Sequence, residues 1–212
     1  MKYLKLPSER EILRFMTEVA KPYRFQLVEE IEPLRVDTER QVIYINKKLL
    51  IDEIIRMAKD ELNWREIWRR YLIHEKAHEG HDKWKRRWGA KVESYGWLLN
   101  FLLDIVVDKV YFNHDEWYQK WLHKDIDYAY KRMKKELKEA FPDPSRRPHF
   151  LYNQAAYWVA LGAKTLDEVA DLYPESIDYI SEMADLMSKI EKEEDLNWVM
   201  PEAKRIYFEY FN

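Results

Sequence analysis

The sequence predicts an α+β protein that is mostly α, with a small antiparallel sheet near the N-terminus, a helical core and a helical C-terminal region. Three observations carry this. Apolar residues alternate with polar ones only between positions 25 and 44, as in half-buried strands. From Asn46 onward they recur every three or four residues, the period of an amphipathic helix. Helix start signals also recur along the second half, among them Thr165-x-x-Glu168.

In chain order, Ser8-x-x-Glu11 reads as a capping box for a helix carrying Ile12, Leu13, Phe15, Met16 and Val19, which Pro22 stops. Phe25 and Leu27, Leu34 and Val36, then Val42 and Tyr44 mark three strands, with residues 37–40 as the turn between the last two. An exposed edge of such a sheet could take an extended peptide by main-chain hydrogen bonds. Residues 49–59 form a helix with Leu50, Ile54, Ile55 and Met57 for packing, and Asn63-x-x-Glu66 caps the next one. A helix from about 90 to 113 follows a stretch holding Gly80, Gly89 and Gly96, three of the chain's four glycines, which reads as a loop-rich turn. Asp115 begins a long helix with Trp117, Trp121, Ile126, Met133 and Leu137. Ser176 begins a later one and Pro201 the last.

Pro142, Pro144 and Pro148 mark the best linker. The expected organisation is a core over 1–141, a proline-rich connection over 142–148 and a helical region over 149–212 packed on the core.

Composition narrows the function. Of the 212 residues 47% are hydrophobic, with nine Trp and fifteen Tyr, enough apolar area for a folded domain. A net charge of −3 argues against nucleic acid as a partner, and basic runs such as 83–87 read as solvated helix faces. The most apolar run, 97–107, is too short to span a bilayer and is broken by Asn100 and Asp104, so no membrane is expected. Without cysteine there are neither disulfides nor thiolate ligands, and a metal would have to be held by histidine and carboxylate. No export signal is legible at the start, so the expected location is cytoplasmic. The charged fraction of 35% is of the kind found in thermophilic proteins.

The chemistry centres on His74-Glu75-Lys76-Ala77-His78. On a helix His74 and His78 share a face, so two imidazole nitrogens can reach one metal ion, and Glu75 beside them sits where a general base would meet a metal-bound water. Ile67, Tyr71, His74 and His78 lie at offsets 0, 4, 7 and 11, so the histidines extend the apolar stripe inward. Gly80 is placed to end the helix in the left-handed conformation. On the following helix Asn100, Asp104 and Asp108 recur at steps of four in an apolar setting, where a carboxylate is costly unless paired or bound to metal.

His-Glu-x-x-His followed by a helix with an acid and a second acid four residues on resembles the gluzincin zinc metallopeptidases, over roughly residues 25–108, as a core like that of the smallest gluzincins with a helical C-terminal extension. The resemblance implies Zn2+ as cofactor, a peptide or protein substrate, Asp104 as third ligand where the family normally has Glu, and Asp108 as the acid that orients a ligating histidine. Asn100 is expected to support them. The metzincin pattern fits less well, because it needs Gly at 81 and His at 84 where this chain has His81 and Trp84. His81 reads as a surface or supporting residue. An oxyanion donor is expected from His149, Tyr152 or Tyr157, with Tyr152 or His149 favoured. The alternative function is a catalytically inactive metal-binding module whose helical C-terminal region binds a protein. The oligomeric state is not legible.

Overall fold

The computed structural model describes residues 6–29, 34–37, 40–89 and 93–211. It divides into two compact units, Met1–Gly80 and His81–Asn212. The architecture is α+β and mostly helical, with one small sheet in the first unit.

In the first unit, helix α1 (Glu9–Ala20) starts at Ser8, whose Oγ accepts from the Glu11 amide at 3.3 Å. It buries Ile12, Met16 and Ala20, spaced by four, while Phe15 meets Trp64 edge-on at 5.2 Å. The sheet comprises β1 (Arg24–Val28), β2 (Leu34–Asp37) and β3 (Val42–Asn46), in the order β1-β3-β2. β2 pairs antiparallel with β3, as expected for a short reversal, and Asp37 Oδ1 accepts from the Arg40 amide at 2.8 Å. Residues 38–39 of the expected turn lie outside the described residues. β1 pairs with β3 in parallel, so the sheet is mixed and not purely antiparallel. Burial explains the order: only a central strand must be apolar on both faces, and β3 buries Val42, Ile43 and Ile45, whereas Arg24 and Gln26 on β1 are exposed.

Asn46 ends β3 and caps α2 (Lys47–Lys59), its Oδ1 accepting from the Leu49 amide at 3.1 Å. α2 buries Leu50, Ile54 and Met57. Helix α3 (Trp64–Ala77) buries Trp64, Ile67, Trp68, Leu72 and His74; Asn63 stands at its N-cap but makes no side-chain cap bond, so that expected box does not form. Gly80 has φ +89°, the left-handed exit expected after the motif helix.

The second unit opens with a short turn, α4 (Asp82–Trp84), and a π-helical turn over Lys85–Gly89, so part of the expected loop is helical. Helix α5 (Glu93–Ile105) runs directly into a second π-helical turn, Val106–Tyr111. α6 (Glu116–Ala140) starts at Asp115, whose carboxylate accepts from the Tyr118 amide at 2.9 Å. The proline connection contains a single 3-10 turn, Pro144–Arg146. Beyond it come α7 (Phe150–Ala160), α8 (Leu166–Ala170), α9 (Ile177–Ser188) and α10 (Leu196–Phe211). The Thr165/Glu168 capping box is present on α8.

α7 and α9 form the centre, and α5 packs on α7 and α10, so helices from both sides of the proline connection share one core. Small residues permit the close approach, since Ala155 and Ala156 of α7 and Ala184 of α9 are all buried. Tyr179 on α9 donates from its buried hydroxyl to Asn153 Oδ1 on α7. The last helix does not begin at Pro201. It starts five residues earlier at Leu196, because proline removes only the bond to the carbonyl of Asn197, an exposed residue beside the helix start.

The Tyr179–Asn153 bond makes a stability prediction. Asn153→Leu strands a buried hydroxyl and should cost about 1–3 kcal/mol, and pairing it with Tyr179→Phe should recover part of that loss; urea unfolding of both variants measures the difference.

Candidate metal centre

The site is assembled from helix α3. His74 is 5% exposed and His78, at the helix C-cap, is half-buried. Their Nε2 atoms lie 3.1 Å apart, with the rings at 76° to one another. Two nitrogens this close cannot both carry hydrogen while aiming at one point. For both to offer lone pairs, each ring must hold its proton on Nδ1. Tyr71 lies parallel to His74, 6.4 Å between ring centres and 15° between planes, and Arg70 sits over the Tyr71 ring at 5.4 Å.

The other residues of the motif anchor the helix. The Lys76 ammonium donates to the carbonyls of Val19 and Lys21 at 3.2 and 3.1 Å, closing the C-terminal end of α1, and burial holds its pKa below the usual lysine value. Glu79 accepts from the Tyr23 hydroxyl at 3.3 Å. Burial, and then the charge of Glu79, push that hydroxyl's pKa up and keep it a donor. The three bonds hold the end of α3, where His78 lies, on the α1–β1 junction.

Among the described residues, one group of His, Asp and Glu side chains has the arrangement needed to hold a metal ion. It consists of His74, His78 and Asp104, one ligand atom from each, all within 4.8 Å of one another. Glu75, between the two histidines in sequence, is half-buried. Two imidazoles and a carboxylate leave room for water in a four-coordinate site, which is the donor count of a catalytic centre and not of a closed structural one.

The remaining sequence-predicted residues fall in three places. Asp108 has no exposure, and its carboxylate accepts from the hydroxyls of Tyr118 on α6 and Tyr157 on α7. Asn100 is exposed, as is Trp97 three residues before it at 56%, while Leu98 and Leu99 on the other side of the same turn are buried; along the Asn100, Asp104, Asp108 row burial deepens towards Asp108. The spacing of four puts these residues on one face but does not put that face at one depth. His149 and Tyr152 belong to an aromatic cluster with α10. His149 Nδ1 lies 2.7 Å from the Tyr207 hydroxyl and its ring stacks on Phe211 at 4.0 Å, while Tyr152 donates to Glu175 at 3.2 Å and to the Pro144 carbonyl at 3.3 Å. Burial lowers the His149 pKa and raises that of Tyr152. The Nδ1 of His149 and the hydroxyl of Tyr152 are thus engaged with residues of the second unit.

His81 is not at the surface: it is 1% exposed, with Nε2 3.2 Å from the Tyr111 hydroxyl. Tyr111 donates in turn to Glu193 at 2.8 Å, which leaves its oxygen to accept from His81. Glu193 also receives Trp84 Nε1 and the Lys83 ammonium. Sequence reasoning passed over Glu193, Tyr111, Tyr118 and Gln119, and no local pattern marks them in a chain so rich in tyrosine and glutamate.

No family profile, no curated protein and no solved structure matches this chain.

Glu193 gives a pH dependence. Burial alone would raise its carboxyl, but the donors Lys83, Trp84 and Tyr111 outweigh it and hold the pKa at about 2. A depressed folded pKa contributes stability above the unfolded value of about 4.3 that is lost as pH falls towards 2, on the order of 2–3 kcal/mol. Glu193→Gln should therefore lower stability at pH 7 and flatten the acid limb between pH 4.5 and 2, as followed by urea titrations at stepped pH.

Proposed function

We propose that this protein is a zinc-dependent metallopeptidase of gluzincin type. The reading rests on one observation, the convergence of His74, His78 and Asp104 in a chain where the first two belong to His-Glu-x-x-His. The donor set suits the metal. Zinc–nitrogen bonds of about 2.0–2.1 Å in a tetrahedron separate two ligand nitrogens by about 3.3 Å, and the 3.1 Å between the histidine Nε2 atoms is close to that. Two nitrogens and one oxygen, with no thiolate, also fit zinc in a hydrolytic role better than in a structural one. Aspartate in place of glutamate as third ligand shortens the reach of the acid without changing the donor atom.

His74, His78 and Asp104 would hold the ion, which when bound supplies a Lewis acid that lowers the pKa of water towards about 7 and polarises a carbonyl. Glu75 does the proton work: its carboxylate accepts the proton of the attacking water and delivers it to the departing amide nitrogen. The substrate is a peptide or protein.

The test uses protein purified without a chelating resin. Elemental analysis should find about one zinc per chain in the wild type and none in His74→Ala. Glu75→Gln should keep the zinc and lose roughly 10²–10⁴-fold in cleavage of a quenched-fluorescent peptide library. Zinc near zero in the wild type, not restored by added metal, removes the reading; zinc present with no cleavage by the wild type would make the protein a metal-binding module without peptidase activity.

A further inference from the structure

We propose that Tyr118 and Tyr157 are positioning residues for the metal centre, acting through Asp108 on the turn of helix that carries Asp104. The inference rests on the metallopeptidase reading in taking Asp104 as a ligand, and otherwise on contacts within the second unit.

Asp104 lies one residue before the end of α5, and the chain then enters the π-helical turn Val106–Tyr111. A π-turn is less favourable than an α-turn and persists where its surroundings hold it, often next to functional residues. Because the turn is wider, each residue advances less around the axis, so Asp108 falls more nearly beneath Asp104 than a regular helix would put it. Asp108 sits inside this turn with no exposure. The hydroxyls of Tyr118 and Tyr157 both donate to its carboxylate, one from α6 and one from α7.

The backbone of the turn is held from the same side. Gln119 Nε2 donates to the Asp108 carbonyl at 2.6 Å and to the Phe112 carbonyl at 3.0 Å, supplying a donor to main-chain acceptors at the end of the helix, where its own amides run out. The Tyr118 ring lies flat on Phe112, 4.2 Å between centres and 13° between planes. Asp115 in turn fixes the first turn of α6 by accepting from the Tyr118 amide. Side chain and main chain at Asp108 are thus set by one end of α6, with α7 as the second wall. A ligand carboxylate one turn away inherits that placement, and residues behind a ligand commonly alter metal affinity by ~10–100-fold.

A tyrosine that merely fills the core would change stability and leave the metal alone. The test is zinc affinity by competition with a chromophoric chelator, on the full chain, for Tyr118→Phe, Tyr157→Phe, the double variant and Tyr130→Phe. The last is a buried-tyrosine control whose hydroxyl donates to the Glu168 carbonyl at 2.9 Å. Each single variant should bind zinc about tenfold more weakly, the double more weakly still, and Tyr130→Phe as the wild type does, with urea midpoints recorded for all four. Zinc binding at wild-type strength in folded Tyr118→Phe and Tyr157→Phe would overturn the inference while leaving the proposed function in place. A wild type that binds no zinc would remove the proposed function and this inference together. Should the double variant fail to fold, the single variants decide, since each leaves one hydroxyl on Asp108.

Discussion

The carboxylate of Asp108 is the constraint around which the second unit is arranged. A charge with no exposure costs several kcal/mol unless it is met by hydrogen bonds, and here two tyrosyl hydroxyls meet it from two helices that are far apart in sequence. Satisfying it fixes where α6 begins and how α7 lies on α5. Around that polar centre the core is apolar and close-packed: Leu102, Leu103, Ile105, Val106 and Val107 flank the acid in sequence and are buried with it. Moving any of the three helices would break a charge-assisted bond as well as open a void, so the arrangement is specified by the acid and filled in by the hydrophobic residues.

In the first unit the corresponding constraint is the end of α3. His-Glu-x-x-His is usually discussed through its histidines and its glutamate, but the lysine in the middle does structural work in this chain. Lys76 closes the last carbonyls of α1, and Glu79 takes the hydroxyl of Tyr23 just beyond them. The helix bearing both imidazoles is therefore held at its C-terminal end, which is where His78 must be placed for its Nε2 to meet that of His74.

Much of this was legible in the residues. The period of four that put His74 and His78 on one face is a property of the α-helix itself, and the caps at Ser8, Asp115 and Thr165 and the left-handed exit at Gly80 follow from local backbone chemistry. What misled were patterns whose outcome depends on depth or on a distant partner. Asn100 shares the spacing of Asp104 and Asp108 but lies where the helix is open to solvent. The central place of β3 follows from its burial, not from the order in which strands appear, and β1 runs parallel to it. Tyr152 and His149 follow the proline connection as a functional loop would, and their partners are Glu175, from the turn before α9, and Tyr207 and Phe211 of α10.

By itself the sequence determined the mostly helical α+β class, the helix that carries His-Glu-x-x-His, and the donor types to which any metal would be limited by the lack of cysteine. These are short-range matters: helical period, capping and composition act within a few residues of the chain. Only the tertiary structure decided that Asp104 joins the two histidines, that Asp108 is shared by Tyr118 and Tyr157, and that His81 is buried against Tyr111. Each of those depends on groups 10 to 49 residues apart where both partners are hydrogen-bonded, and no local preference encodes such meetings, because they are set by which buried polar atoms find one another once the apolar faces have closed.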